Sequence, residues 1–306
     1  VARRLFLLIA FVVVAAALLF VQLPMPPTYA GRTIENSGHT PLFLIGTLFI
    51  LSILRHDFRI EGVRLYAFSG LIAAVAGLTS EVIQGPLGRD SSWEDVLADC
   101  VGVLLALALY ALFDRRRRLG TAARVAVLLI VAGCLVAYVA PIVSMVRAYL
   151  HRDGQFPVLV NFDSRLDLYW MYSYGLKREI RDGALDIEYD AGQYPGVSFF
   201  EPVPDWSRYG TLVIEVENPA DEVLHFGVRV HDKGHGREFA DRFNRRLELG
   251  PHERREFTIP LDDIRRGPRN RLMNMAQISD VTVFRLHGAG STRMRLYSIR
   301  LGWMRA

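Results

Sequence analysis

Residues 79–102 read TSEVIQGPLGRDSSWEDVLADCVG, between the apolar runs Leu65–Leu78 and Val101–Phe113. The stretch carries Glu81, Gln84, Arg89, Asp90, Glu94, Asp95 and Asp99. Charge at the mouth of a membrane helix is costly unless paired or wet, so such a cluster is a functional candidate by default. Glu81 and Gln84 are three apart, on one face of a helix end. Gly85, Pro86 and Gly88 break that helix, and Arg89 follows in the loop. Ser91 or Ser92 caps the next helix and puts Asp95 in its first turn, where the helix dipole favours a carboxylate. Asp95 and Asp99, four apart, share a face, and Gly102 permits a close helix contact.

Working outward, the chain has two unlike halves. Its 306 residues are 51% hydrophobic, with a mean hydropathy of +0.20. Nearly all long apolar runs fall before about Leu150. Five spans are expected, at about Leu5–Leu23, Pro41–Leu54, Leu65–Ile83, Trp93–Phe113 and Ala123–Val146. The first also resembles a signal peptide but is long for one, and is read as retained. A polar loop, Thr28–Thr40, precedes the second span, and Gly38 to Thr40 join that helix and bring His39 to its outer mouth; a re-entrant segment is the alternative there.

Basic residues set the sidedness. Arg3 and Arg4, then Arg55, Arg59 and Arg64, then Arg115–Arg118 fall on one side by alternation, which should be the cytoplasm. The acidic mouth and everything after the fifth span then face outward. This gives a multi-pass protein of a bacterial inner membrane, N-terminus cytoplasmic and C-terminal half periplasmic or extracellular. The net charge of +4 and pI near 9.2 follow from these topological clusters, so no nucleic acid partner is expected. Cys100 and Cys134 both lie in expected spans, and a disulfide between them is not expected.

The cluster at 79–102 has three readings from spacing alone. It binds the polar head group of a lipid-linked molecule, with arginine on phosphate and carboxylates on hydroxyls or a metal. It does general acid–base work, with Glu81, Arg89, Asp95 and His39 as catalytic candidates and Gln84 and Asp99 as ligand contacts. Or it is an internal salt-bridge cluster holding a helical hairpin.

The residues Glu81, Gln84, Gly88-Arg89, Ser92, Asp95 and Gly102 resemble the hallmark of the VanZ-like family of small membrane proteins, over roughly Glu35 to Phe113. That family usually has asparagine where this chain has Asp99, and an aspartate-lysine pair where this chain has Glu35-Asn36 before His39. The resemblance implies a link to teicoplanin-type antibiotic resistance at its narrowest, and to envelope glycan or lipid-linked intermediates more broadly.

The second half alternates like a β protein. Strands are expected at Val158–Phe162, Ala184–Tyr189, Gly196–Phe200, Thr211–Glu217, Val223–Val230, Glu256–Ile259, Val281–Leu286 and Met294–Leu301. Asp241–Leu247 reads as a strand or a brief helix. The fold class is a membrane α-helical bundle plus a C-terminal all-β jelly-roll sandwich, with domains at 1–148 and 158–306 and a linker at 149–157.

Tyr194-Pro195-Gly196, Asp205-Trp206 with Tyr209, Val228-x-Val230-x-Asp232, Asp241–Asn244 and Leu296-Tyr297-x-Ile299 resemble, in order and spacing, carbohydrate-binding modules of the galactose-binding-like type. Sugar binding needs flat aromatic faces and fixed polar groups. Candidates for the first are Trp170, Tyr172, Tyr174, Tyr194 and Trp206, although Trp206 also reads as a core anchor. Trp170 and Tyr172 alternate, as on one side of a strand. Candidates for the second are Arg229, His231, Asp232, His235, Asp241, Arg242 and Asn244, of which Arg229 and His231 point the same way. No cofactor is assigned; such sandwiches commonly hold calcium on turn carboxylates, which makes calcium a candidate here without assigned ligands.

No GxSxG, HExxH, P-loop or paired-cysteine motif occurs. Three functions remain: an envelope protein binding glycan or a lipid-linked saccharide, a membrane-embedded enzyme acting on such a lipid, and a scaffold whose sandwich binds a protein. Membrane lipid is a partner in all of them. A reporter fused after Ala306 should be active only outside the cytoplasm; activity only inside contradicts the alternation.

Overall fold

The structure is a computed structural model describing residues 28–84, 93–114, 116, 119–190, 194–236, 238–286 and 290–303. The expected span Leu5–Leu23 and the loop carrying Arg89 lie outside the described residues, as do three arginines of the run 115–118. The chain divides into two compact units, Val1–Val146 and Arg147–Ala306.

The first unit is helical. Its elements are α1 (Tyr29–Ser37), α2 (His39–His56), α3 (Val63–Gln84), α4 (Trp93–Phe113) and α5 (Thr121–Gln155). The polar segment 28–40, expected as a loop, is mostly α1. Its entry is capped by the Thr28 hydroxyl, which accepts from the Gly31 N–H at 3.0 Å. Among the described residues, four stretches are long and apolar enough to cross a membrane: Tyr29–His56, Val63–Ile83, Trp93–Phe113 and Thr121–Gln155. Their large apolar side chains, such as Leu71, Val75, Leu78, Leu97 and Leu129, point outward, as a lipid-facing surface requires. The unit is a bundle of membrane-spanning helices.

Small residues set the helix contacts. A Cβ on Gly102 would stand 2.4 Å from the Thr40 carbonyl oxygen and 3.0 Å from the Leu44 nitrogen, so α4 lies against the backbone of α2. The Thr40 hydroxyl donates to the Ala98 carbonyl at 3.0 Å. Phe43, Ala73 and Val103 join α2, α3 and α4 in a small apolar core. At the arginine-rich end, Arg55 donates to the Tyr110 hydroxyl at 2.8 Å and to Asp114 at 3.0 Å.

The second unit is a two-sheet sandwich. Its strands are β1 (Val158–Val160), β2 (Met171–Tyr174), β3 (Leu176–Arg181), β4 (Ala184–Tyr189), β5 (Gly196–Phe200), β6 (Tyr209–Glu217), β7 (Leu224–Asp232), β8 (Phe243–Leu249), β9 (Arg254–Pro260), β10 (Ile278–Arg285) and β11 (Arg293–Trp303). One sheet runs β3-β4-β11-β6-β9, with β1 on β11, and the other β2-β5-β10-β7-β8. Every pairing is antiparallel.

Period-two burial makes the core. Leu212, Ile214 and Val216 of one sheet and Phe226, Val228 and Val230 of the other are fully buried between the layers. Trp206 is also fully buried, its indole N–H donating to the Val203 carbonyl at 2.9 Å, so its role is the anchor and not a platform. Of the Asp241–Leu247 stretch, Phe243–Leu247 lies in strand β8, and Asp241 and Arg242 lie in the bend before it. Edge strands β2 and β3 were not foreseen: β3 reads LKREIR, charged as exposed edges are.

Residues 149–155, expected in a linker, continue helix α5. Within the second unit, Tyr149 donates to Glu201 at 2.8 Å, Arg152 donates to the Glu201 carbonyl at 2.9 Å, and His151 lies 3.1 Å from Asp167.

Candidate functional site

Each unit carries its own candidate site. In the helical unit, His39 opens α2, Glu81 lies in the last turn of α3, and Asp95 and Asp99 occupy the first turns of α4. All four are buried. The i, i+4 spacing puts both aspartates on the face that meets α2 and α3. His39 Nδ1 lies 2.9 Å from Asp99 Oδ1, the geometry of a carboxylate orienting an imidazole. The other oxygen, Asp99 Oδ2, is buried without a hydrogen-bond partner among the described residues. It faces α3, because a Cβ on Gly77 would come within 3.0 Å of it. One ligand atom each from His39, Glu81 and Asp99 lies within 4.8 Å of the others. Among the described residues this is the one such gathering of three histidine, cysteine or carboxylate ligand atoms, and it is in the helices, while calcium in the sandwich was the candidate from the sequence. An imidazole with two carboxylates suits a borderline cation such as zinc better than calcium. Of the other candidates here, Arg89 lies outside the described residues and Gln84 is described only as part of α3.

In the sandwich, the site is the outer face of the sheet β2-β5-β10-β7-β8. Register sets Tyr172, Ser198, Thr282, Arg229 and Asn244 in one row across all five strands. The neighbouring row is Tyr174, Gly196, Phe284, Gly227 and Arg246. Phe284 can lie down because its neighbours have no side chain: a Cβ on Gly227 would stand 2.4 Å from its ring, and one on Gly196 2.7 Å from its Cβ.

Around that floor stand the aromatic residues. Tyr172 and Tyr174 are stacked, with ring centroids 6.1 Å apart and planes at 29°, and Tyr172 is 64% exposed. Tyr194 meets Phe284 edge-on at 6.1 Å. A cleft of about 400 Å³ opens beside Tyr194, His225 and Arg246. The Arg229 guanidinium sits 5.0 Å over the Phe284 ring, and that of Arg242 5.0 Å over Phe239.

Asp280 and His231 complete the face. Ser198 and Thr282 hydroxyls both donate to Asp280. Burial still raises the Asp280 carboxyl above its ordinary range. Burial also lowers His231, against the pull of Asp280. Both shifts favour the neutral forms. His231 stacks on His235 with centroids 4.6 Å apart.

Two sequence candidates have structural duties instead. Trp170 belongs to a short 3-10 helix, not a strand, and only 4% of it is exposed, packed among Tyr149, Phe200 and the Arg152 guanidinium. Asp232 is buried and held by Arg271 at 2.6 and 2.7 Å and by the Asn274 N–H at 2.7 Å. Arg271 also donates to Asp241 at 2.5 Å, fastening the β7–β8 connection that presents Phe239 and Arg242. Sequence reasoning missed Arg271, Phe284 and Asp280. The alternation Asp280, Thr282, Phe284 against Val281 and Val283 was the available signal for the last two.

No protein family model matches the chain, and no curated protein matches it. Solved structures similar to it include the family 11 carbohydrate-binding module from Clostridium thermocellum in complex with a β-1,3-1,4-mixed-linked tetrasaccharide. It is 15% identical, over 49% of this chain and 96% of that one, with a TM-score of 0.38. An exo-β-agarase is 13% identical over 49% of this chain and 25% of that one, with a TM-score of 0.39. A family 29 carbohydrate-binding module is 16% identical over 42% and 74%, with a TM-score of 0.31.

The Arg271 clamp makes a pH prediction. Burial pushes Asp232 up, but Arg271 and backbone N–H donors hold it below its ordinary value of 3.8; Arg271 and the Gly236 N–H lower Asp241. A lowered carboxylate contributes stability above its unfolded pKa and loses it as pH falls through the folded one. Arg271→Gln should therefore lower the melting temperature by a constant amount from pH 7 down to about pH 5. The gap should narrow as pH falls below about 4 and through the lowered folded pKa values. Thermal unfolding of the full chain, followed by tryptophan signal, checks this.

Proposed function

We propose that this is a bacterial envelope protein that binds glycan on the outer face of the sheet β2-β5-β10-β7-β8. The observation that carries the reading is the adjacency of a stacked tyrosine pair to polar side chains with buried atoms that lack hydrogen-bond partners among the described residues. Tyr172 and Tyr174 offer aromatic faces for the C–H side of a sugar ring. Arg229 Nε and Asn244 Oδ1 in the row of Tyr172, and Arg242 Nε in the β7–β8 connection, are buried and lack hydrogen-bond partners among the described residues. A protein-binding scaffold would instead call for an apolar patch. The proposal includes an inner-membrane location with this unit outside the cytoplasm, as the arginine distribution implies.

The membrane half we read as VanZ-like, from the residues Glu81, Gln84, Asp95 and Gly102, with a polar site for the head group of a lipid-linked saccharide. The buried gathering of His39, Glu81, Asp95 and Asp99 at three helix ends supports that use. Whether the head group is only held or also transformed is the difference between a receptor and an enzyme.

Two variants test the two halves. Tyr172→Ala should weaken saccharide binding by the full chain in micelles at least about tenfold while leaving its melting temperature unchanged. Equal binding by variant and parent across a glycan panel would remove the face from the reading. Asp99→Asn should leave membrane abundance unchanged and reduce capture of a polyprenyl-phosphate-linked saccharide. Loss of the protein itself would favour a salt-bridge cluster.

A further inference from the structure

Arginines of the β unit are mostly spoken for or exposed. Arg295 pairs with Asp186, Arg254 with Glu215, Arg300 with Glu256, and Arg271 with Asp232 and Asp241. Arg178, Arg208 and Arg269 are exposed to water. Arg229 and Arg242 are neither. Both are half-buried, each has a buried Nε–H without an acceptor, and among the described residues neither forms an ion pair. Leaving a charged donor in that state costs stability, so the unmatched groups call for an explanation.

Nearby acids cannot supply it. Asp232 and Asp241 are taken by Arg271. Asp280 attracts Arg229 at a distance, but its carboxylate accepts from Ser198 and Thr282 and forms no ion pair with either arginine among the described residues. Asn244, which faces Arg229 in the register, follows Arg242 by two residues, so the two cations are neighbours and repel each other. Phe284 and Phe239 support the flat faces of the guanidiniums. Their N–H edges, which grip planar or tetrahedral oxyanions in two-point fashion, are left over.

We propose that this face selects acidic saccharides, with a sugar ring on Tyr172 and Tyr174 and a carboxylate or phosphate substituent between Arg229 and Arg242. The inference rests on the glycan reading above and narrows its ligand class. Three strand spacings separate β2 from β7, about 14 Å, so the ligand is an oligosaccharide and not a single ring. Asn244, directly opposite Arg229 in the register, is placed to accept from a hydroxyl of the same sugar.

The test titrates the full chain in detergent micelles with cellotetraose, tetragalacturonate, cellotetraose bearing one phosphate, and tetraglutamate. An acidic tetrasaccharide should bind about tenfold or more tightly than cellotetraose, and added salt should erode that advantage. Whether the uronate or the phosphate leads identifies the oxyanion. Arg229→Gln with Arg242→Gln should erase the advantage, weakening the acidic tetrasaccharides at least about tenfold more than cellotetraose, at an unchanged melting temperature. If that double variant fails to fold, Arg229→Lys, which keeps the charge and loses the fork, should cut the advantage severalfold.

Equal affinity for neutral and acidic sugars, untouched by the arginine variants, overturns the acidic selection and leaves glycan binding standing. Tetraglutamate binding as tightly as the acidic sugars also overturns it, since charge alone would then suffice. Absence of binding by every saccharide overturns the glycan reading, and this inference with it.

Discussion

Phe284 lies flat on the second sheet because positions 196 and 227 have no Cβ, and the open face depends on that seat. With any side chain at Gly227, the ring would be met at 2.4 Å and would have to stand up into the surface. Lying down, it supports the Arg229 guanidinium from below and touches the edge of Tyr194. The register of β10 between β5 and β7 carries the seat across the sheet, placing Thr282 between Ser198 and Arg229 in the adjoining row. Packing thus fixes the floor while the rim stays polar, as a recognition surface requires.

The two units solve opposite solvent problems. In the sandwich, Val, Leu, Ile and Phe turn inward, and charges pair outward on the strands. In the helices the pattern inverts: Leu and Val face outward, and His39, Glu81, Asp95 and Asp99 are inside. Lipid gives helices no hydrophobic reason to associate, so close backbone contact at Gly102 and the Thr40–Ala98 hydrogen bond hold α2 to α4. Arg55, Tyr110 and Asp114 tie the same two helices at their far ends. The pairing of His39 with Asp99 therefore sits in a frame fixed at both ends, which suits a positioned imidazole.

The sequence made some of this legible and hid the rest for identifiable reasons. Helix α4 was readable to the residue because a serine cap signal, acids in the first turn and an uninterrupted apolar run agree. Strands β4 and β5 were readable because turn residues bound clean alternation. Helix α1 was missed because its composition is polar and its cap, Thr28, follows a proline-rich stretch. Trp170 was misplaced because local alternation with Tyr172 cannot reveal a 3-10 turn. Asp232 looked available because its partner Arg271 is 39 residues away, a long-range match that spacing does not carry. That Arg229 points the same way as His231 was legible from alternation; that register sets Arg229 opposite Asn244, on a strand 15 residues further along, was not.

The most direct test of the account is to find where a saccharide lies on the folded protein. Hydrogen–deuterium exchange of the full chain, with and without a saturating tetrasaccharide, reads this by peptide. The account predicts slowed exchange at 172–174, 226–231 and 243–246, with no change at 176–188 or 254–259. Slowing confined to those last two segments, which belong to the opposite sheet, would contradict it.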